Sequence, residues 1–124
     1  MSANRQMATV CNKGVFADES EALSEIVRRL VSQLAPGSIW LFGSRARGSA
    51  RPDSDFDLRL VAKRGGAFGS ADYDLVYQPV IGLGVGCDIV PCSAEDFDEA
   101  AEIKTSLIAQ VLSEGRRLYD AKAH

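Results

Sequence analysis

The chain has 124 residues, a length typical of one domain, with 14 basic and 17 acidic side chains and a formal net charge of −3. An apolar content of 46% and a charged content of 25% are ordinary for a globular protein, and the negative balance argues against non-specific coating of nucleic acid. Three cysteines without a Cys-x-x-Cys pair argue against a disulfide framework or structural zinc, and the lone His124 at the end leaves no histidine for catalysis.

The start of the chain shows no clear periodicity, and we predict a flexible segment over residues 1–17, one domain over 18–120 and a short tail over 121–124. The first residues hold no long apolar stretch of the signal-peptide kind. No run approaches the length of a membrane span. A cytoplasmic protein that does not bind membranes is therefore expected.

The first predicted elements are a helix and a strand. Apolar residues recur at steps of three and four up to Leu34, which predicts an amphipathic helix from about Ser20. Asp18 or Ser20 is its expected cap, and Pro36-Gly37 ends it. The apolar run Ser38–Phe42 then predicts a buried strand.

The rest of the chain alternates strands and helices. The region 71–81 is ambiguous, and we favour a short helix there. The glycine-rich stretch 82–86 lacks the spacing and the following helix of a dinucleotide loop, so it is interpreted as a turn. The further predicted elements, in chain order, are a short helix Ser44–Gly48, a strand Asp55–Ala62, a third strand Val85–Pro91, a long helix Ser93–Leu112 and a short edge strand Arg116–Tyr119. Ser93 with Asp96 resembles a capping box at the start of the long helix. Together, the elements predict a single sheet with a helical layer.

One face of the second predicted strand carries charge. Strand alternation sends Asp55 and Asp57 to the same face, and Asp88 is the only acid within a strand-like apolar run outside this motif. Hard divalent ions prefer carboxylate oxygens, and two such ions about 3.5–4 Å apart neutralise a triphosphate and activate an acceptor hydroxyl. We therefore predict Asp55, Asp57 and Asp88 as metal ligands. Arg59 shares their face, as either a phosphate contact or a partner for the acids.

A phosphate site is predicted just after the first strand. Gly43 allows close approach of the backbone to a phosphate, and a helix that starts after it directs free N–H groups at the same anion. The Ser44 hydroxyl adds a hydrogen bond. Arg45, Arg47 and Arg51 either neutralise phosphate or hold the acceptor, although a solvated helix face is the alternative for Arg45 or Arg47. Gly-Ser and Asp-x-Asp are each common, but their combination against predicted strands is rare.

These residues carry a family resemblance. The string Phe-Gly-Ser-Arg-Ala-Arg-Gly-Ser-Ala, followed by Ser-Asp-Phe-Asp-Leu, is similar to the signature of the DNA polymerase β-like nucleotidyltransferase superfamily. Within it, the chain resembles the minimal nucleotidyltransferase branch. The resemblance covers roughly Ser38 to Asp88 and continues in the last helix and the closing Glu-Gly-Arg-Arg-Leu-Tyr. It is specific for the superfamily and poorly specific for the acceptor.

The resemblance implies an α/β (α+β) fold, a small palm with a mixed sheet of three to four strands and helices packed on one face. It implies two Mg²⁺ ions held by Asp55, Asp57 and Asp88, and ATP or another NTP lying on Gly43 and Ser44. Asp88 would help to deprotonate the acceptor hydroxyl, and pyrophosphate would leave. Members of the branch often act with a helical HEPN-family partner as antitoxin and toxin, and some attach AMP to a tyrosine of that partner.

Three functions compete. The leading hypothesis is an enzyme that transfers AMP to a hydroxyl on a partner protein, because the chain is too short to hold its own acceptor domain. The second is a non-catalytic, nucleotide-binding antitoxin that blocks its partner by occlusion. The third is transfer to a small molecule of the aminoglycoside type, for which a homodimer would have to build the acceptor pocket. The sequence leaves the oligomeric state open.

Overall fold

A computed structural model of the chain describes residues 13, 16–48, 50–51, 54–103, 109 and 113–123. The strands of this part are β1 (Ser38–Phe42), β2 (Phe56–Val61), β3 (Cys87–Cys92) and β4 (Arg116–Asp120). Its α-helices are α1 (Glu19–Leu34), α2 (Ser44–Arg47), α3 (Tyr73–Tyr77) and α4 (Ala94–Ala101), with 3₁₀ turns at Gln78–Val80 and Ala121–Ala123. Within the described ranges, none of the helices is both long and apolar enough to cross a bilayer.

The four strands form one mixed sheet in the order β3-β2-β1-β4. β1 pairs antiparallel with both β2 and β4, whereas β2 and β3 are parallel. The fold class expected from the sequence is therefore confirmed. Two pairs in this register matter for the site, because Phe42 lies opposite Asp57 and Asp57 lies beside Asp88.

The first helix has the start and stop that its sequence predicts. The Asp18 carboxylate accepts a hydrogen bond of 2.8 Å from the backbone N–H of Glu21, so Asp18 is the N-cap. The helix ends at Leu34, where Ala35 adopts a left-handed conformation with φ 46° ahead of Pro36. The stretch 71–81 is a short helix, as favoured, and it continues as a 3₁₀ turn that includes Pro79.

One face of the sheet packs against α1 and is apolar. The helix buries residues at steps of four, and the strands bury every second residue against them. None of the described charged or polar side chains is buried. The core cluster on this face includes Ala22, Ile26, Leu30, Leu34, Ile39, Leu41, Phe56, Leu58, Leu60, Val76 and Val80.

The opposite face of the sheet is partly covered by α4. Ser93 caps this helix by accepting a 3.1 Å hydrogen bond from the Asp96 N–H, as predicted, and the Phe97 ring lies 6.2 Å from the Trp40 ring. This contact places α4 on the second face of the sheet, whereas the sequence predicted helices on one face only. α4 ends at Ala101, so the predicted uninterrupted helix up to Leu112 is wrong at residues 102 and 103, and residues 104–108 and 110–112 lie outside the described part of the chain.

Candidate active site

The chain enters β2 through a segment held by Arg45. The Arg45 guanidinium lies 4.2 Å from the centre of the Phe56 ring and donates hydrogen bonds to the carbonyl of Ser54 at 3.1 and 2.7 Å. A longer bond of 3.4 Å reaches the carbonyl of Arg51. Because the Arg45 side chain is only 10% exposed, it is committed to fixing the backbone immediately before Asp55.

Gly43 and Asp57 meet because β1 and β2 are antiparallel. Phe42 pairs with Asp57, so the residue after Phe42 lies against the Asp57 side chain. A Cβ atom placed on Gly43 would stand 2.5 Å from the Asp57 Oδ2 atom, and Gly43 has a φ of 73°. Any other residue would therefore strain the backbone and displace the carboxylate. The glycine of the Gly-Ser motif thus makes room for an acidic side chain as well as for a ligand.

Asp88 joins the site through the parallel pairing of β2 and β3. The register places it beside Asp57, and its side chain is exposed on the face opposite α1. The pKa of Asp57 is raised, and burial is the largest cause. The negative charges of Asp88 and Asp55 raise it further, while the charge of Arg47 opposes the shift. Three carboxylates and one guanidinium therefore act on each other at one end of the sheet.

The donor chemistry of this cluster fits magnesium. Its carboxylates are hard oxygen donors, and the mutual repulsion that raises the pKa of Asp57 is what a divalent cation relieves. Among the described residues, no group of three acidic, cysteine or histidine side chains is in metal-binding geometry. Two of the expected ligands, Asp57 and Asp88, are nevertheless neighbours in register.

Cys87 precedes Asp88 in the sequence, but it does not share the chemical role predicted for Asp88. Its side chain is buried in the core cluster, as the alternation of β3 predicts. Burial raises the pKa of the thiol to about 11, with further contributions from Asp55 and Asp88. The thiol therefore stays protonated at neutral pH, which excludes it as a nucleophile there.

Two arginines stand on the solvent side of the site. Arg47 is 54% exposed and forms a 4.0 Å ion pair with Glu114. The Arg59 guanidinium lies 5.6 Å from the centre of the Phe42 ring, and its buried Nε atom has no hydrogen-bond partner among the described residues. A buried N–H group without a partner is costly. The covered Nε atom does not decide between the two roles that the alternation of β2 leaves open for Arg59, a phosphate contact and a partner for the acids.

The structure brings together most residues that the sequence singles out. Asp55, Asp57 and Asp88 share one end of the sheet, and Gly43 touches Asp57. Ser44 begins α2 and is half-buried. The two arginines of the motif differ: Arg47 is exposed, pairs with Glu114 and acts on the charge of Asp57, whereas the placement of Arg45 favours a positioning role over the predicted contact with a nucleotide.

Relatives of the chain carry related names. A chain of Methanocaldococcus jannaschii named as a candidate protein adenylyltransferase, MJ0604, is 33% identical over 108 residues, which cover 82% of this chain and 99% of that one. A second, the candidate protein adenylyltransferase MntA of Haemophilus influenzae, is 41% identical over 46 residues. That match covers 36% of this chain and 40% of the relative, so this chain matches less than half of the Haemophilus protein.

Solved structures share the fold at low identity. A candidate nucleotidyltransferase of Sulfolobus solfataricus superposes with a TM-score of 0.56 at 22% identity, covering 81% of this chain and 78% of that one. A toxin–antitoxin structure with AMP-PNP gives a TM-score of 0.57 at 22% identity, covering 81% of this chain and 74% of the other. The profile of the nucleotidyltransferase domain family matches residues 20–118. The resemblance inferred from the Gly-Ser and Asp-x-Asp motifs is thus confirmed, and the chain belongs to the nucleotidyltransferase domain family.

Proposed function

We propose that this nucleotidyltransferase moves AMP from ATP, with Mg²⁺, to a hydroxyl group on a partner protein. The observation that carries the proposal is the register that sets Asp57 beside Asp88, with the Asp57 carboxylate against Gly43. This arrangement joins the predicted phosphate cradle and the predicted metal ligands at one place. We keep a cytoplasmic location as part of the proposal.

A protein acceptor is supported by the relatives. Both curated relatives are named as protein adenylyltransferases, and one of them aligns over 99% of its length. Two solved structures with this fold are toxin–antitoxin assemblies, one of which contains AMP-PNP. We therefore propose that the acceptor is a toxin partner, of the helical HEPN type that the sequence resemblance implies.

In the proposed reaction, Asp55, Asp57 and Asp88 would hold two Mg²⁺ ions, which when bound neutralise the triphosphate and acidify the acceptor hydroxyl. The backbone at Gly43 and the hydroxyl of Ser44 receive the phosphates. The acceptor oxygen attacks the α-phosphorus, the bond to pyrophosphate breaks, and Asp88 takes the hydroxyl proton. Asp88 suits this role because it is the exposed member of the pair that the strands bring together.

The three arginines near the site would have different roles in the reaction. Arg59 would contact the triphosphate through the rest of its guanidinium, because it follows Asp57 by two residues on β2 and shares its face. Arg47 lies close enough to act on the charge of Asp57, so it would also face a phosphate held there. Arg45 would hold the Ser54 carbonyl and thereby the position of Asp55.

The proposal is tested by incubating the protein with labelled ATP, Mg²⁺ and the purified protein encoded by the neighbouring reading frame. We expect label on that partner and released pyrophosphate. Asp55→Ala and Asp57→Ala should each abolish Mg²⁺-dependent ATP binding in calorimetry while remaining folded. Asp98→Ala is the matched control, because Asp98 is an exposed partner of Arg64 away from the site. Retained binding in both site variants would remove the proposed metal roles.

A binding-only antitoxin is the second candidate. It is favoured by one observation, that the carboxylates do not form a convergent group of three in the described residues. Under this alternative, a variant that combines Asp55→Ala and Asp57→Ala would still neutralise the partner, because occlusion needs no chemistry. Loss of neutralisation by that variant, with binding to the partner retained, would instead support transfer of AMP.

A further inference from the structure

Exposed apolar side chains are concentrated in one short stretch of the chain. Among the described residues, five large apolar side chains are exposed. Four of them are Tyr73 at 54%, Leu75 at 38%, Tyr77 at 42% and Ile81 at 61%. Scattered exposure of single apolar residues is normal, whereas a contiguous apolar patch marks an interaction site.

This stretch borders the proposed active site. Tyr73, Tyr77 and Ile81, hereafter the α3 patch, line a groove of about 530 Å³ together with Asp88. The groove runs between α3 with its 3₁₀ turn and β3, which is an edge strand of the sheet. Whatever binds to the α3 patch is therefore held beside the carboxylate that we propose takes the acceptor proton.

The charges of the residues that line the groove indicate which kind of ligand it binds. Its charged lining residues are Asp74 and Asp88, and none of the described lining residues is basic. A triphosphate is disfavoured there, because it would meet acids without a basic side chain. A second copy of the chain is also disfavoured, because a two-fold contact would bring the same acidic patch against itself.

We propose that the α3 patch binds the segment of the acceptor protein that carries the modified hydroxyl. The segment would combine apolar side chains, which cover Tyr73, Tyr77 and Ile81, with a lysine or arginine that faces Asp74. This inference rests on the proposed function and adds the surface that recognises the acceptor.

Binding in the groove also explains how the acceptor is oriented. Tyr73, Tyr77 and Asp88 line the same groove, so apolar rings and a carboxylate border one cavity. An acceptor side chain that joins an apolar ring to a hydroxyl, such as tyrosine, matches both kinds of lining. The hydroxyl is then held next to Asp88.

The test uses a short fluorescent peptide with a central tyrosine flanked by leucines and lysines, and fluorescence anisotropy to measure its binding to the full chain. We expect saturable binding that weakens at least about tenfold in Ile81→Asp, because interface anchors contribute more than about 1.4 kcal/mol. A peptide with glutamates in place of the lysines should bind at least about tenfold more weakly than the lysine peptide.

Ile103→Asp is the matched control, because Ile103 is 55% exposed and lies outside the patch. It should leave peptide binding unchanged. Equal weakening by both isoleucine variants, or no saturable binding by the wild type, would overturn the proposal. So would a wild-type dimer in sedimentation that Ile81→Asp converts to a monomer without affecting peptide binding.

Mg²⁺-dependent ATP binding, measured by calorimetry on the same samples, separates this proposal from the proposed function. Ile81→Asp should bind ATP like the wild type and should show the same thermal unfolding, because Ile81 is exposed. If the wild type binds ATP but not the peptide, the docking surface alone is wrong. If the wild type binds no ATP, the proposed function is wrong whatever the peptide does.

Discussion

The two faces of the sheet do different work, although the same strands supply both. Leu58 and Asp57 are neighbours on β2, yet Leu58 is fully buried beneath α1 and Asp57 stands in the acidic cluster on the other face. On the first face, burial stabilises each side chain that it covers. On the second, burial acts against a charge, since it is the largest cause of the raised pKa of Asp57.

This contrast shows how a small domain separates stability from chemistry. The period of two along a strand assigns alternate residues to opposite faces, so one face is free to hold groups that repel each other. Burial on the apolar face supplies the stability that offsets this repulsion. Substitutions on the two faces should therefore have opposite effects on the free energy of unfolding.

The largest effect is expected for Asp57→Asn. Transfer of AMP should fall about 10³-fold, because a lost metal ligand removes several kcal/mol of transition-state stabilisation. The free energy of unfolding in metal-free buffer should rise at neutral pH. Labelled ATP and urea denaturation measure the two quantities, with Asp98→Asn as the control. A variant that is less stable than the wild type at neutral pH would contradict the proposed division between the faces.

The pH dependence of that gain follows from the raised pKa of Asp57. Between the unfolded and the folded pKa, the native state holds more protons than the unfolded state, so this group lowers stability as pH rises. The advantage of Asp57→Asn should therefore disappear below the ordinary pKa of aspartate, about 3.9. Urea denaturation across this pH range measures it, and an advantage that grows towards low pH would contradict the assigned cause.

The next effect is expected on the apolar face. Leu58→Ala should lower the free energy of unfolding by about 2–5 kcal/mol, because Leu58 is fully buried and leaves a cavity. Leu75→Ala is the matched control, because Leu75 is 38% exposed, and its change should stay within about 0.5 kcal/mol. Urea denaturation measures both. Similar losses in the two variants would show that the core does not lie where the structure places it.

Arg59→Met tests the buried Nε atom that has no hydrogen-bond partner among the described residues. The affinity for ATP should fall about 10- to 100-fold, as expected for the loss of a charge-assisted hydrogen bond of about 1.5–3 kcal/mol. Stability should not fall, because the substitution removes a buried N–H group that has no partner in the described residues. Calorimetry with ATP measures the first effect, and Arg64→Met is the control. A stability loss with unchanged ATP affinity would assign Arg59 to packing.

Arg45 and Arg47 provide a matched pair within one motif. Arg45→Met should lower the free energy of unfolding by about 2 kcal/mol, through the contact with Phe56 and the bonds to Ser54. Arg47→Met should change it by less than about 0.5 kcal/mol, because its ion pair is exposed. Urea denaturation measures both. A larger loss of stability in Arg47→Met than in Arg45→Met would contradict the positioning role and favour the nucleotide-binding role predicted for Arg45 from the sequence.

The smallest effect concerns an aspartate outside the acidic cluster. Asp18→Ala should cost about 1 kcal/mol, because it removes the hydrogen bond to the Glu21 N–H at the start of α1. Asp18→Asn should be nearly neutral, since asparagine caps as well. Neither change should alter transfer of AMP. A loss of activity without loss of stability would extend the functional site to α1, which the structure does not indicate.

Local patterns in the sequence were sufficient for most elements of the fold. Apolar residues at steps of three and four up to Leu34 predict α1, and the alternation of apolar and charged residues through Asp57 predicts β2. Both predictions lie within two residues of the observed ends. Such patterns work because burial repeats with the period of each element. The predicted cap at Ser93 is confirmed for the same reason, since capping depends on residues three apart.

The sequence by itself determined which residue types face each way, and thereby the acid pair of β2 and the glycine that precedes α2. Only the tertiary structure decided the rest, because strand order and register join residues far apart in the chain. The parallel pairing of β2 with β3 brings Asp88 to Asp57, and packing onto Phe56 turns Arg45 inward while Arg47 stays exposed. Local periodicity carries no information on such contacts, since they depend on how whole elements pack.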